Sequence, residues 1–144
     1  MTRTFVAAAV LAASLGAAPI VARAEVPVAI RIIKGSRQGP PSFDPRLEDL
    51  RRQLSPLAYV RWEQVLEEHR DLSRGKTEFV QIPGGEQIGV SLVERRGDTV
   101  TIEVAITSRN TQTRLTVEKG QRIVHQVTGE KSGAAYFLTV RALP

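Results

Sequence analysis

From Val100 to Thr107 the chain alternates without a break, Val100, Ile102, Val104 and Ile106 being apolar and Thr101, Glu103, Ala105 and Thr107 lying between them. Only an extended backbone puts every second side chain on one side, so this stretch is a strand with one buried face. Such a strand cannot stand alone. It needs paired neighbours and a second apolar layer against its buried face.

The neighbours can be read on both sides. Lys76 to Pro83 alternates around Phe79 and Ile82, Pro83-Gly84-Gly85 makes a turn, and Glu86 to Glu94 carries Ile88, Val90 and Leu92 on one face. Arg96-Gly97-Asp98 is the next turn. Thr113 to Val117, Arg122 to Val127 and Ala135 to Ala142 follow, separated by Lys119-Gly120 and by Gly129-Glu-Lys-Ser-Gly133. Strands recurring at intervals of roughly 8 to 12 residues with turn signals between them point to an antiparallel sandwich or barrel, and the expectation taken is a mostly β antiparallel sandwich with a short N-terminal helix.

The N-terminal third is more varied. Val26, Val28, Ile30 and Ile32 alternate, and Pro27 marks a strand start or an edge, so Val26 to Ile33 is expected to be an open edge strand. Lys34 to Ser42 is rich in Gly, Pro and Ser and reads as a mobile connecting loop. Asp44-Pro45 then predicts a helix over residues 44–54: Asp caps free N–H groups, and Pro at the first helical position loses no bond. Leu47, Leu50 and Leu54 form its apolar stripe, Glu48 and Arg52 pair outside, and Ser55-Pro56 ends it. Leu57 to Leu72 fits two patterns. Ala58, Trp62, Val65, His69 and Leu72 fall at helical spacing, while Ala58, Val60, Trp62 and Leu66 fit one face of a strand with Gln64 as the exception.

Taken together, Asp44-Pro45-Arg46-Leu47 with Leu50 and Leu54, Tyr59-x-x-Trp62, Leu72-x-x-Gly75, Pro83-Gly84-Gly85 and the closing Phe137-Leu-Thr-Val-Arg-Ala have a familiar order. The chain resembles a group of small, uncharacterised exported β-rich proteins of myxobacteria and their relatives. That resemblance implies a long strand over Tyr59 to Leu72 and a β-α-β opening followed by a meander. It implies no catalytic residue.

Residues 1–24 read as a cleaved secretory signal peptide: Arg3 begins it, Phe5 to Val21 is apolar and Ala-rich, and Ala22-Arg23-Ala24 suits signal peptidase. Residues 25–144 then form a single β-rich domain, delivered to the periplasm or secreted. The chain has no cysteine, which rules out disulfides and a lipobox thiol, and after the leader no stretch is apolar enough to span a bilayer. The formal charge is +5, but Arg3 and Arg23 lie in the leader and the remaining basic residues are scattered. A nucleic-acid binder concentrates its cations and interleaves aromatics, so no nucleic-acid partner is expected.

Catalytic signatures are missing. There is no Gly-x-Ser-x-Gly elbow and no Cys nucleophile, and Gly129-Glu-Lys-Ser lacks the upstream glycine of a phosphate loop because position 125 is His. His69 and His125 are the only imidazoles, with Glu67 and Glu68 near the first, and no metal or other cofactor is expected. Arg96-Gly97-Asp98 spells an adhesion tripeptide, but the same residues are what a β-turn selects. Trp62, the single tryptophan, is the size of a core plug and also suits a contact hot spot.

The function expected from these features is an exported, non-enzymatic envelope module that binds a protein or a surface polymer, its partner being a protein of the cell envelope. Lys34, Arg37, Trp62 and Arg96 are the candidate contact residues. Two alternatives stand beside it. One is a small periplasmic hydrolase-like enzyme whose site assembles His69, Glu67, His125 and Asp98 from different strands. The other is an inhibitor-type protein docking through the loop Lys34 to Ser42.

Overall fold

A computed structural model describes residues 25–144, and the expected signal peptide, residues 1–24, lies outside the described residues. The alternating segments form nine strands in two sheets. In the first sheet are β1 (Val26–Ser36), β2 (Ser42–Phe43), β3 (Arg61–Leu72), β8 (Ile123–Gln126) and β9 (Ala134–Ala142), in the order β2-β3-β1-β9-β8. The second holds β4 (Thr77–Ile82), β5 (Glu86–Arg96), β6 (Thr99–Ile106) and β7 (Thr111–Glu118) in sequence order, an antiparallel meander. No helix among the described residues is long and apolar enough to cross a membrane.

The inner faces of both sheets feed one core. Val26, Val28, Ile30 and Ile32 of β1 and Leu138 and Val140 of β9 pack with Ile88, Val90, Leu92, Val100, Ile102, Val104 and Ile106 of the meander. Phe79 is the exception in the meander: Val80 and Ile82 point inward, while Phe79 is 52% exposed and lies with Thr77 over Gly89 on β5, where there is no side chain to displace them. A second cluster covers the other face of the first sheet, where Ile33, Trp62, Ala135 and Phe137 meet Leu47, Leu50 and Leu54.

That second layer corrects the expectation for β1. Val26 to Ile33 is not an edge: it lies between β3 and β9, antiparallel to both. Its outward residues Ala29, Arg31 and Ile33 are buried as well, which a one-face alternation does not reveal. Nor is Lys34 to Ser42 a free loop from its first residue, because β1 runs on to Ser36. Gly35, inside the stretch expected as a loop, is there because Trp62 and Tyr59 lie across it; a β-carbon at this position would come within 2.9 Å of the Trp62 ring and 3.0 Å of Tyr59.

The segment expected as one helix over residues 44–54 is instead a 3-10 helix, Pro45–Leu50, followed by a single α-helical turn, Arg51–Leu54. The leucine spacing explains the change. Leu47 to Leu50 is a step of three, matching a 3-10 turn, and Leu50 to Leu54 a step of four, matching an α turn, so all three reach the sheet. The same tightening redirects Glu48, which pairs with Arg51 rather than Arg52.

Residues 61–72, ambiguous between helix and strand, form β3. A bulge resolves the conflicting periodicity. Pairing passes from Ile32 with Leu66 to Ile33 with Gln64, leaving Val65 as the extra residue. Trp62 and Gln64 therefore share a face with Glu67 and His69, and no single parity could describe the strand. Its opening also departs from a β-α-β unit, since β2 intervenes and β1 and β3 pair antiparallel.

Candidate functional site

The inward alternation of β1 ends in Lys34 and Ser36, so at this end the apolar core gives way to polar side chains on the same face. Lys34 stands opposite Glu63 of β3 and Tyr136 of β9; Ser36 stands opposite Arg61 and Ala134. Two clefts open here. One, of about 590 Å³, is lined by Lys34, Ser36, Gln38, Arg61, Trp62 and Glu63 among others. The other, of about 710 Å³, is lined by residues including Lys34, Glu86, Arg109, Glu130, Lys131 and Tyr136. Lys34, Ser132 and Ala134 line both, which makes Lys34 part of the wall between them.

The hairpin joining β8 to β9 supplies the rest of that wall. Lys131 and Ala134 exchange backbone hydrogen bonds, and the two residues between them, Ser132 and Gly133, have φ of 54° and 75°. This is the primed geometry that matches strand twist, usually given to Asn-Gly. The Arg37 backbone N–H donates to Gly133 O at 2.8 Å, tying the chain after β1 to this turn.

Arg37 is held on three sides. Its guanidinium donates to Glu130 and, at 3.1 Å, to the Ala58 carbonyl, and lies 4.9 Å from the centre of the Tyr59 ring. The Arg37 hydrogen bond holds the Glu130 carboxyl below its ordinary value, while burial and then the neighbouring Glu130 push the Tyr59 hydroxyl up. Arg37 thus fastens the rim rather than projecting from a mobile loop.

The acids of the lining are largely engaged in this way. Asp44 accepts from Arg46 Nε and Nη2 and from the backbone N–H groups of Arg46 and Gln64. The Arg46 side chain, more than offsetting partial burial, and then those two N–H groups hold its carboxyl well below the usual carboxylate range. Glu86 accepts from the Ser108 hydroxyl at 2.6 Å. Glu63 is the lining acid that accepts no side-chain hydrogen bond among the described residues.

The cations of the lining are in the opposite condition. Among the described residues, Lys34, Arg61, Arg109 and Lys131 have no carboxylate within ion-pair distance. Two of them lie against bare backbone: a β-carbon at Gly39 would be 2.6 Å from an Arg61 guanidinium nitrogen, and one at Gly129 would be 3.2 Å from that of Arg109. Gly39 lines the first cleft and Gly129 the second. Each opening therefore has an arginine seated on a glycine, with Lys34 between.

Of the residues singled out from the sequence, Lys34 and Trp62 line the first cleft and Arg37 braces its rim. Trp62 is 4% exposed and packs edge-on against Tyr59, with Phe137 tilted beside it. Arg96 sits at the far end of the molecule, exposed on the β5–β6 turn and paired with Glu94; Gly97 there has a φ of 57°. The residues of the distributed-enzyme alternative are not brought together. Glu67 and His69 are on the outer face of the first sheet, His125 is on its inner face at the β8 edge with its imidazole pushed below the ordinary value by burial, and Asp98 is on the distant turn. No group of three or more His, Cys, Asp and Glu among the described residues could hold a metal ion.

Sequence reasoning missed Arg61, Arg109, Lys131 and Ser132. One signal was present: Lys34 and Ser36 continue the inward alternation of β1 as polar residues, which marks where the core stops. Comparison of the chain with protein-family models, with curated proteins and with solved structures finds no match to any of them.

Proposed function

We propose that the chain is an exported, non-enzymatic module of the cell envelope that holds a protein or surface polymer in the paired clefts around Lys34. The observation that carries this reading is Lys34 itself, a half-buried ammonium without a carboxylate partner among the described residues, in a wall common to two openings. A charge that gains nothing within the fold is retained at a cost unless something outside pairs with it. The separation of His69, His125, Glu67 and Asp98 leaves the enzymatic alternative without a shared site. The sandwich description belongs to the same reading, with the sheets as a rigid frame and the clefts at one end. Cleavage after Ala24 would deliver residues 25–144 to the periplasm or the medium.

The test is site-specific photocrosslinking in cells, with the photoreactive residue placed at Gln38 in the cleft or at Arg96 on the far turn. A discrete adduct from position 38 and none from position 96 is the expected result. An adduct from position 96 alone would place recognition at the wrong end and overturn the proposal.

A further inference from the structure

We infer that the ligand of the paired clefts is an acidic peptide segment of a partner protein, laid in extended form across Lys34 from one opening into the other; this rests on the binding reading above. Three observations carry it. First, the free charge is mainly positive: Asp44 and Glu130 are paired with Arg46 and Arg37, Glu86 accepts from the neutral Ser108 hydroxyl and Glu63 from no side chain, whereas Lys34, Arg61, Arg109 and Lys131 are not paired among the described residues. Second, the cations are spread out. Arg61 lines only the first cleft, Arg109 and Lys131 only the second, and Lys34 both. A single small anion can satisfy one such group at a time, while a chain with several separated carboxylates meets them in series.

Third, the chemistry of the lining suits a peptide better than a sugar polymer. Sugar rings dock on exposed aromatic faces, but Trp62 is buried among other aromatics and Tyr136 is packed against the core. What is presented instead is a set of side-chain donors, Ser36, Gln38, Ser42 and Thr128, with the two guanidinium groups. Guanidinium pairs planar carboxylates through two parallel hydrogen bonds, and hydroxyls and amides satisfy a peptide backbone. Gly39 and Gly129 let the two guanidinium groups lie directly against the backbone.

The experiment measures fluorescence anisotropy of a labelled ten-residue Glu-Ala peptide against the purified exported protein, with a Gln-Ala peptide and an acidic oligogalacturonate as comparisons. The Glu-Ala peptide is expected to bind and the Gln-Ala peptide not, with affinity falling as salt rises. Lys34→Gln is expected to weaken binding about fivefold, and Arg61→Gln, Arg109→Gln and Lys131→Gln about threefold each, the range for partly exposed charge pairs. Arg96→Gln should leave it unchanged. Lys131 is on an exposed turn, so its variant reports on binding even if a strand substitution disturbs folding. Equal affinity of all variants would overturn the inference, as would binding of the oligogalacturonate in place of the peptide. Failure of the peptide with the Gln38 adduct intact removes the acidic-peptide class and leaves the cleft reading standing; loss of the adduct removes both.

Discussion

Gly35 and Ser132 are close to Lys34 and illustrate opposite demands on a single residue. Gly35 lies in a strand, where glycine is normally a weakness, because two aromatic rings occupy the place of its side chain. Gly35→Ala is expected to destabilise the fold by about 2 kcal/mol through overpacking, read as a lower urea midpoint with an unchanged m-value. Ser132 is the reverse case, a side chain where the backbone prefers none. At φ 54° it is in the left-handed region, and Ser132→Gly is expected to stabilise by about 0.5 kcal/mol in the same measurement. The turn at 129–133 was legible from its glycines, and the gap filled by Tyr59 and Trp62 was not. Glycine in a sequence reports an absent side chain without saying whether a turn or a neighbour requires the absence.

At the scale of the element, the segment Pro45–Leu54 is fastened by charge as well as by leucine. Arg31, buried on the outer face of β1, donates to both carboxylate oxygens of Asp49 and to the Arg46 carbonyl, and Arg122 donates to Asp49 from the β7–β8 connection. Burial alone would raise the Asp49 carboxyl, but the hydrogen bonds and charge of Arg31 and Arg122 prevail and hold it below its ordinary value. Asp44 is lowered as well, chiefly by Arg46. Carboxyls depressed in the folded state contribute stability above their unfolded value and lose it as the pH falls through the folded one. Stability should therefore decline below about pH 4, the ordinary value for Asp, and Asp44→Asn should flatten part of the decline in a pH series of thermal melts. Removing Asp49 leaves Arg31 buried without its partner, and Asp49→Ala is expected to cost about 2 kcal/mol. The Asp-Pro start and the leucine stripe of this segment were readable because caps and spacings are local signals. Its 3-10 character and its clamp to Arg31 were not, because Arg31 looks like any outward residue of an alternating strand.

At the scale of the whole molecule, the meander β4 to β7 was legible strand by strand, since each hairpin joins neighbours in sequence. The first sheet was not. β9 inserts between β1 and β8, and nothing in an alternating pattern specifies a partner about a hundred residues away. The placement makes β1 and β9 the most enclosed strands, so their amides are expected to exchange slowest in hydrogen-exchange measurements, with those of β2, β4, β7 and β8 at the sheet edges exchanging first. Uniform protection across both sheets would contradict the strand order.

The same pairing has a bearing on manufacture. Val28 cannot meet Ala142 until the ribosome has finished nearly all of the described chain, so half of the central ladder waits unpaired while the rest is made. A polypeptide of this design leaves its central strand open on one side until the last strand is made, so the closing of the first sheet is a late event by construction.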